Sequence, residues 1–321
     1  MLSPPTFSVL IPTRDRPEYL AKALGSIEAQ TAENFEAIVV NDHPPSLPAV
    51  RDLVEQFDPR FRLIANETNL GLARSRQRAF ETSTGRFVAL LDDDDFWAPT
   101  FLEQHLLAHQ EMPDVSFVYC GYVRFWDDPA IEPRTLSALP PPDDLFLTML
   151  RGEFTIGTSS VVTVKREWFE KVGGFDHELP GFEDWDFLCR LSQVSKAAHI
   201  IEPLVWYRQH FGARESLGPD RLASLERIAS KWREHPEVAQ MIRRSKAEFF
   251  FNLSRQAVLA GRRRQGVVHL AEFIRSAPRS GLGPILAAKL ILLNLLGKQS
   301  YLWARRASEI AAGRSGRRHV A

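Results

Sequence analysis

A chain of 321 residues, 44% hydrophobic and 25% charged, can bury a sizeable core without disulfides or a structural metal. Its two cysteines, Cys120 and Cys189, fit no zinc-ligand spacing and exclude a disulfide framework, so a reducing compartment is expected. The formal net charge of zero hides an asymmetry: residues 1–218 hold 20 Lys/Arg against 33 Asp/Glu, and residues 219–321 hold 20 against 7. An acidic first part and a basic last part predict two domains with separate jobs.

Phe7–Ile11 is a short apolar run stopped by Pro12, which predicts a buried strand. Pro17–Gln30 carries Leu20, Leu24 and Ile27 at helical spacing, with Pro17 suited to the first turn. A strand is then predicted at Phe35–Val40, a helix at Leu47–Phe57 and a strand at Phe61–Ala65. Leu72–Thr82 reads as a helix ended by Gly85, and Phe87–Leu91 as a fourth strand. A crossover after each strand predicts an α/β class fold, with a mostly parallel central sheet and helices on both faces. Residues 127–146, rich in Pro and Asp, read as a long loop. Ser160–Val164 reads as another strand, Val172–Phe175 as a turn and Asp184–Leu191 as a helix. From Asp220 onward the pattern is helical and basic. The longest apolar run, Pro284–Leu296, is interrupted by Lys289 and Asn294 and falls short of the roughly 20 residues a membrane-spanning helix needs. The first residues carry no basic region followed by an apolar stretch, so no signal peptide is expected.

In open parallel sheets ligands bind beyond the carboxyl ends of the strands, which selects residues 12–16, 41–45 and 92–95. The last of these is Asp92-Asp93-Asp94-Asp95. Two like charges ~4 Å apart repel by about 1 kcal/mol in water and about 4 kcal/mol at an effective dielectric of 20. Such a run needs a cation or hydrogen-bond donors beside it. Carboxylate oxygens are hard ligands suited to Mg²⁺ or Mn²⁺, with phosphate oxygens filling the open positions. The plainer alternative is a solvated turn capping the helix near Pro99; placement at a strand end favours the cation. A second acidic site, Glu183-Asp184, lies where a helix begins. Asp184 is either a helix cap worth roughly 1 kcal/mol over alanine, with Trp185, Leu188 and Leu191 as the buried face, or a general base with Glu183 beside it. The residues alone leave both readings open. An acidic cleft repels phosphates unless a metal is present, so nucleic acid is not an expected partner.

Four segments, in this order, resemble the inverting family 2 glycosyltransferases of the glycosyltransferase-A fold. They are Phe7–Pro17; Ile38–Asp42; Asn69–Gln77 running on through Gly85–Asp95; and Val172–Asp176 followed by Glu183-Asp184. The resemblance covers about residues 6–212. It implies a single glycosyltransferase-A type domain at 1–218, with a donor half at about 6–97 and an acceptor half at about 98–218, followed by a helical extension at 219–321. It also implies roles. Pro12, Thr13 and Arg14 would line a nucleotide pocket, Asp42 would accept a hydrogen bond from the base, and Arg76 and Asp93 would contact the nucleotide. Asp94 would be the direct metal ligand, Asp92 would hold ribose or a metal-bound water, and His210 would sit near the metal. Asp184 would be the catalytic base. The implied reaction moves a sugar from a nucleotide-diphosphate donor, expected to be a UDP-sugar, to a saccharide or lipid-linked acceptor. It uses Mn²⁺ or Mg²⁺ and serves envelope or extracellular polysaccharide or glycolipid synthesis. The chain departs from the family pattern at His43-Pro44-Pro45, in place of Gly-Ser, and at Asp15 and Gln77, both usually Asn. A sugar-phosphate nucleotidyltransferase is the alternative enzyme, although residues 12–17 lack the glycine-rich loop it would require. A non-catalytic scaffold is the alternative outside enzymes. The basic extension is expected to meet a membrane surface through Gly281–Leu296 and its flanking Arg279, Lys298, Arg305 and Arg306, which places the chain in the cytoplasm or on the inner face of the membrane.

Overall fold

The computed structural model describes residues 4–210, 220–276 and 291. The chain divides into two compact units, residues 1–211 and 212–321. Apart from Ile291, the expected interfacial segment 281–296 and its flanking basic residues lie outside the described residues.

The first unit opens with β1 (Phe7–Thr13), α1 (Pro17–Glu28), β2 (Phe35–Asn41), α2 (Leu47–Val54), β3 (Phe61–Ala65), α3 (Leu72–Glu81) and β4 (Phe87–Leu90). The four strands lie in the order β3-β2-β1-β4 and all run parallel. Every residue of β1 and β4 is buried, which is why these strands read as continuous apolar runs rather than alternating ones. Leu20, Ala23, Leu24 and Ile27 form the buried stripe of α1.

The second half is less regular. It runs through β5 (Phe96–Trp97), α4 (Phe101–Glu111), β6 (Val115–Trp126), β7 (Arg134–Leu136), α5 (Leu145–Leu150), β8 (Val162–Lys165), α6 (Arg166–Lys171), α7 (Glu183–Val194) and β9 (Lys196–Gln209). The sheet continues from β4 as β8-β6-β9-β5, with β7 on the side of β6. β8 is antiparallel to both β4 and β6, whereas β6 and β9 form a long parallel ladder. The segment expected to be a loop at 127–146 contains β7 and the start of α5. The strand expected at Ser160–Val164 begins two residues later, because Ser159–Val161 form a short 3-10 turn.

The β6–β9 ladder is irregular on both sides of Gly121. A Cβ on Gly121 would lie 2.8 Å from the Ile201 and Leu136 carbonyl oxygens and 3.0 Å from that of Glu202, so only glycine lets the strands approach. The same irregularity accommodates Pro203 within β9, where an unbroken ladder would require its missing N–H.

His105 and His109 of α4 are buried and share the Thr163 hydroxyl of β8, at 2.8 and 2.9 Å. Among the described residues their other ring nitrogens have no hydrogen-bond partner. Burial pushes both pKa values down, that of His105 well below the usual histidine range and that of His109 to about 3. The unfolded chain therefore binds protons that the folded chain refuses. For His109 the stabilising contribution is complete above about pH 6.5 and is lost as pH falls from there toward 3, by ~1.4 kcal/mol per pH unit, and His105 acts in the same direction. Urea-unfolding midpoints measured down this range should fall more steeply for the wild type than for His109→Gln, which retains a partner for Thr163. Equal slopes would refute this account.

The second unit contains α8 (Asp220–Lys231), α9 (Val238–Leu259) and α10 (Arg263–Ser276). Gly261, at φ +79°, turns the chain between α9 and α10, and the Arg262 N–H closes the turn on the Ala257 carbonyl at 2.8 Å. Ala247, Val258, Leu270 and Phe273 form the core of this helical hairpin, with Phe250 and Phe251 packed against it.

Candidate functional site

The carboxyl ends of β1, β2 and β4 bring the selected loops together. Each of the four consecutive acids after β4 has its own partners, and this resolves their mutual repulsion. Asp92 accepts from Arg76 Nη2 at 2.5 Å and from the Ser159 hydroxyl at 3.2 Å. Asp93 accepts from the Thr13 hydroxyl at 2.7 Å and the Arg14 N–H at 3.3 Å. Asp94 Oδ2 meets Arg16 Nη1 and His210 Nε2, each at 2.7 Å. Asp95 accepts from the Ser160 hydroxyl at 2.6 Å and the Arg208 N–H at 2.9 Å.

Their protonation differs accordingly. Burial raises Asp93 to about 7, with Arg16 opposing it. Burial, then the neighbouring Asp94 and Asp92, push Asp95 well above the carboxylate range. Burial also acts against ionised Asp94, but the His210 ring and the Arg16 guanidinium outweigh it and hold its pKa below the ordinary value. Asp94 is thus a charged member of the run with a cationic side chain already on its oxygen.

Arg76 was expected to contact the nucleotide. It is instead only 1% exposed, and its guanidinium bridges Glu183 (3.0 Å), Asp92 and Ser159 (2.7 Å). A buried guanidinium requires counter-charges, and these two acids supply them. Burial lowers its pKa, yet Asp92, Glu183 and Asp184 together hold it above the ordinary arginine value. The same need bears on the expected metal set. Asp92 is drawn to Arg76, and among the described residues no three His, Cys, Asp or Glu side chains converge as metal ligands. Of the expected Asp92, Asp94 and His210, the latter two are adjacent.

Asp42 is buried, and its oxygens already accept from Asn66 Nδ2 (2.7 Å) and from the N–H groups of Leu70 (2.7 Å) and Gly71 (2.8 Å). Gly71 has φ +84° and starts α3, so Asp42 positions the helix that carries Arg76. Pro12 and Thr13 are buried at the end of β1, and Arg14 is exposed beside them.

Asp184 is the second residue of α7 rather than its cap; Phe182 holds the cap position with no side-chain capping bond. Asp184 is half-buried and accepts the Trp185 N–H at 2.7 Å. Phe182 has φ 66°, a left-handed conformation costing a bulky residue about 1–3 kcal/mol, which turns the chain sharply into the helix. Phe187, Leu188 and Leu191 are buried on α7, while Trp185 is half-buried. Burial, then Asp184, raise Glu183 to about 7 against the pull of Arg76. The Gly173-Gly174 turn, at φ +78° and +66°, offers the Gly174 carbonyl to Arg190 of α7 at 2.7 Å. It also seats Phe175 against Phe187 and beneath Arg76, so the turn orients the start of α7.

Several residues were not singled out from the sequence. Arg208 donates to the Asp94 carbonyl at 2.9 Å and to Asp127, and its guanidinium lies between Tyr19 and Phe125, 4.4 and 4.5 Å from the ring centres. Ser159 and Ser160 complete the network, together with Arg16 and Asp95 of the segments selected above. The available signals were the polar pair Ser159-Ser160 before an apolar strand and Arg208 two residues before His210.

Glycosyl transferase family 2, as a family profile, matches residues 8–173. An uncharacterized glycosyltransferase of Haemophilus influenzae is 31% identical over 236 residues, covering 71% of this chain and 76% of its own. A putative colanic acid biosynthesis glycosyl transferase of Escherichia coli is 28% identical over 192 residues, covering 60% of this chain and 67% of its own. Among solved structures, Staphylococcus aureus TarS 1–349 in complex with UDP-GlcNAc superposes with a TM-score of 0.60 at 19% identity, over 90% of this chain and 89% of its own. The mannosyltransferase PcManGT of Pyrobaculum calidifontis, in complex with GDP-Man and Mn²⁺, gives 0.54 at 20% identity, over 99% and 89%. The two structures share this fold. By the family match and the Haemophilus relative, the chain is a glycosyltransferase and belongs to glycosyl transferase family 2.

Proposed function

We propose that this glycosyltransferase moves a sugar from a nucleoside-diphosphate donor to an acceptor hydroxyl, with inversion, and that Mn²⁺ or Mg²⁺ assists. The observation that carries this reading is the bridge through Arg76, which ties Asp92 of the acidic loop to Glu183, the neighbour of Asp184. It holds a donor-side loop and a half-buried carboxylate in one rigid constellation. Asp184 accepts the proton of the acceptor hydroxyl. That oxygen bonds to the anomeric carbon as the bond from the carbon to the diphosphate oxygen breaks, releasing nucleoside diphosphate. Thr13 and Arg14 lie at the nucleotide end. Asp94 and His210, a hard carboxylate oxygen and an imidazole in contact, would hold a divalent ion, which would take the place of the Arg16 guanidinium on Asp94 Oδ2. Such an ion would offset charge on the leaving diphosphate. The TarS structure with UDP-GlcNAc and the PcManGT structure with GDP-Man and Mn²⁺ support a nucleotide-sugar donor and a divalent ion. The colanic acid relative supports a polysaccharide or glycolipid product.

We assign this chemistry to residues 1–218 and a peripheral contact with the inner face of the cell membrane to the basic residues 219–321. No helix among the described residues is long and apolar enough to cross a membrane. Calorimetric titration with UDP, GDP, dTDP and CDP, in Mn²⁺, Mg²⁺ or chelator, tests the donor reading. One diphosphate should bind, and only with metal. Failure of all four under every condition would leave the scaffold alternative standing.

A further inference from the structure

α10 presents two apolar stripes. Gly266, Leu270 and Phe273 are buried and account for its packing within the hairpin. Val267, Ala271 and Ile274, spaced four and three residues apart, form a second stripe that faces out. Val267 is 54% exposed and Ile274 52%, and Val268 beside them is 61% exposed. Among the described residues, Val267, Val268 and Ile274 take no part in the buried core of the hairpin. Arginines border the stripe: Arg262, Arg263 and Arg264 are exposed at its start and Arg275 at its end, the last paired with Glu272. An open groove of about 480 Å³ adjoins it, lined by Gln256, Arg262, Arg264, Val268 and His269 among others. Residues 220–276 hold 12 Lys/Arg against 6 Asp/Glu.

We propose that this outer face of α10 is the surface that meets an anionic lipid bilayer, with Val267, Val268 and Ile274 entering the boundary between headgroups and acyl chains. Arg262, Arg263 and Arg264 then lie among the headgroups, and the groove admits a headgroup phosphate. This rests on the membrane contact assigned above to the basic part of the chain, and it moves that contact from residues 281–296 to the hairpin. The pattern selects a bilayer over other anions. A polyanion such as nucleic acid would pair with the arginines and leave the valines and isoleucine in water. A bilayer interface takes up a short apolar stripe and its basic border together.

The test is sedimentation of the full chain with vesicles of phosphatidylcholine alone and of phosphatidylcholine mixed with phosphatidylglycerol. The wild type should sediment with the mixed vesicles and far less with the neutral ones. Each basic side chain near an anionic surface is worth roughly a fivefold gain in partition, so Arg263→Glu with Arg264→Glu should reduce binding at least tenfold. Val267→Ser with Ile274→Ser should also reduce it; unchanged binding there would mean charge alone and would overturn the proposal. Arg305→Glu with Arg306→Glu is the control. If that pair abolishes binding while the Arg263/Arg264 pair does not, the membrane reading survives and this surface is wrong. If the wild type sediments with neither vesicle, both fail. Far-ultraviolet circular dichroism and the diphosphate titration on each variant confirm that the chain still folds.

Discussion

Asp184→Asn lowers sugar transfer by about 10²–10⁴-fold, the range expected when a positioned general base is lost. Nucleoside-diphosphate binding should be unchanged. The structural reason for expecting a clean result is the bond that Asp184 Oδ1 accepts from the Trp185 N–H. The asparagine carbonyl can accept the same bond, so the first turn of α7 and the Arg76–Glu183 pair beneath it remain in place. What disappears is the capacity to take a proton. The measurement is turnover of the donor identified by calorimetry, with diphosphate binding determined on the same preparation. Near-normal transfer by Asp184→Asn would remove this residue from the mechanism and direct attention to Glu183, whose pKa of about 7 leaves it partly ionised at neutral pH.

Asp94→Ala should abolish the metal-dependent part of nucleoside-diphosphate binding. Loss of groups that merely orient a metal ligand weakens metal affinity by about 10–100-fold, and loss of a ligand should weaken it at least as much. In this chain the substitution also leaves Arg16 and His210 facing each other without the carboxylate that both contact. Titrating Mn²⁺ against wild type and variant at fixed diphosphate concentration reads the effect directly. An Asp94→Ala protein whose affinity responds to metal as the wild type does would place the ion elsewhere. The two variants are complementary: Asp184→Asn should bind and fail to transfer, whereas Asp94→Ala should fail at binding.

Residues 6–97 were legible residue by residue because local rules govern them. Four strands, each followed by a crossover, predict a parallel sheet, and β1 to β4 form one. Residues 98–210 were not. β6 and β9 pair only across a long sequence separation, and Gly121, Glu202 and Pro203 interrupt what a strand pattern would show. The identity of the acidic loop was readable from four adjacent aspartates after a strand. The division of labour among them was not, since Thr13 and Arg16, Arg76, Ser160, and Arg208 come from four different places in the chain.

The sequence by itself determined the class of fold, the family and the positions of the two acidic sites, because apolar periodicity and short ordered motifs are local properties of the chain. Only the tertiary structure decided that Arg76 is buried rather than exposed to a ligand, that Asp92 serves Arg76, and that Asp94 stands with His210. Burial sets which charge must be paired, and burial exists only once distant segments have packed.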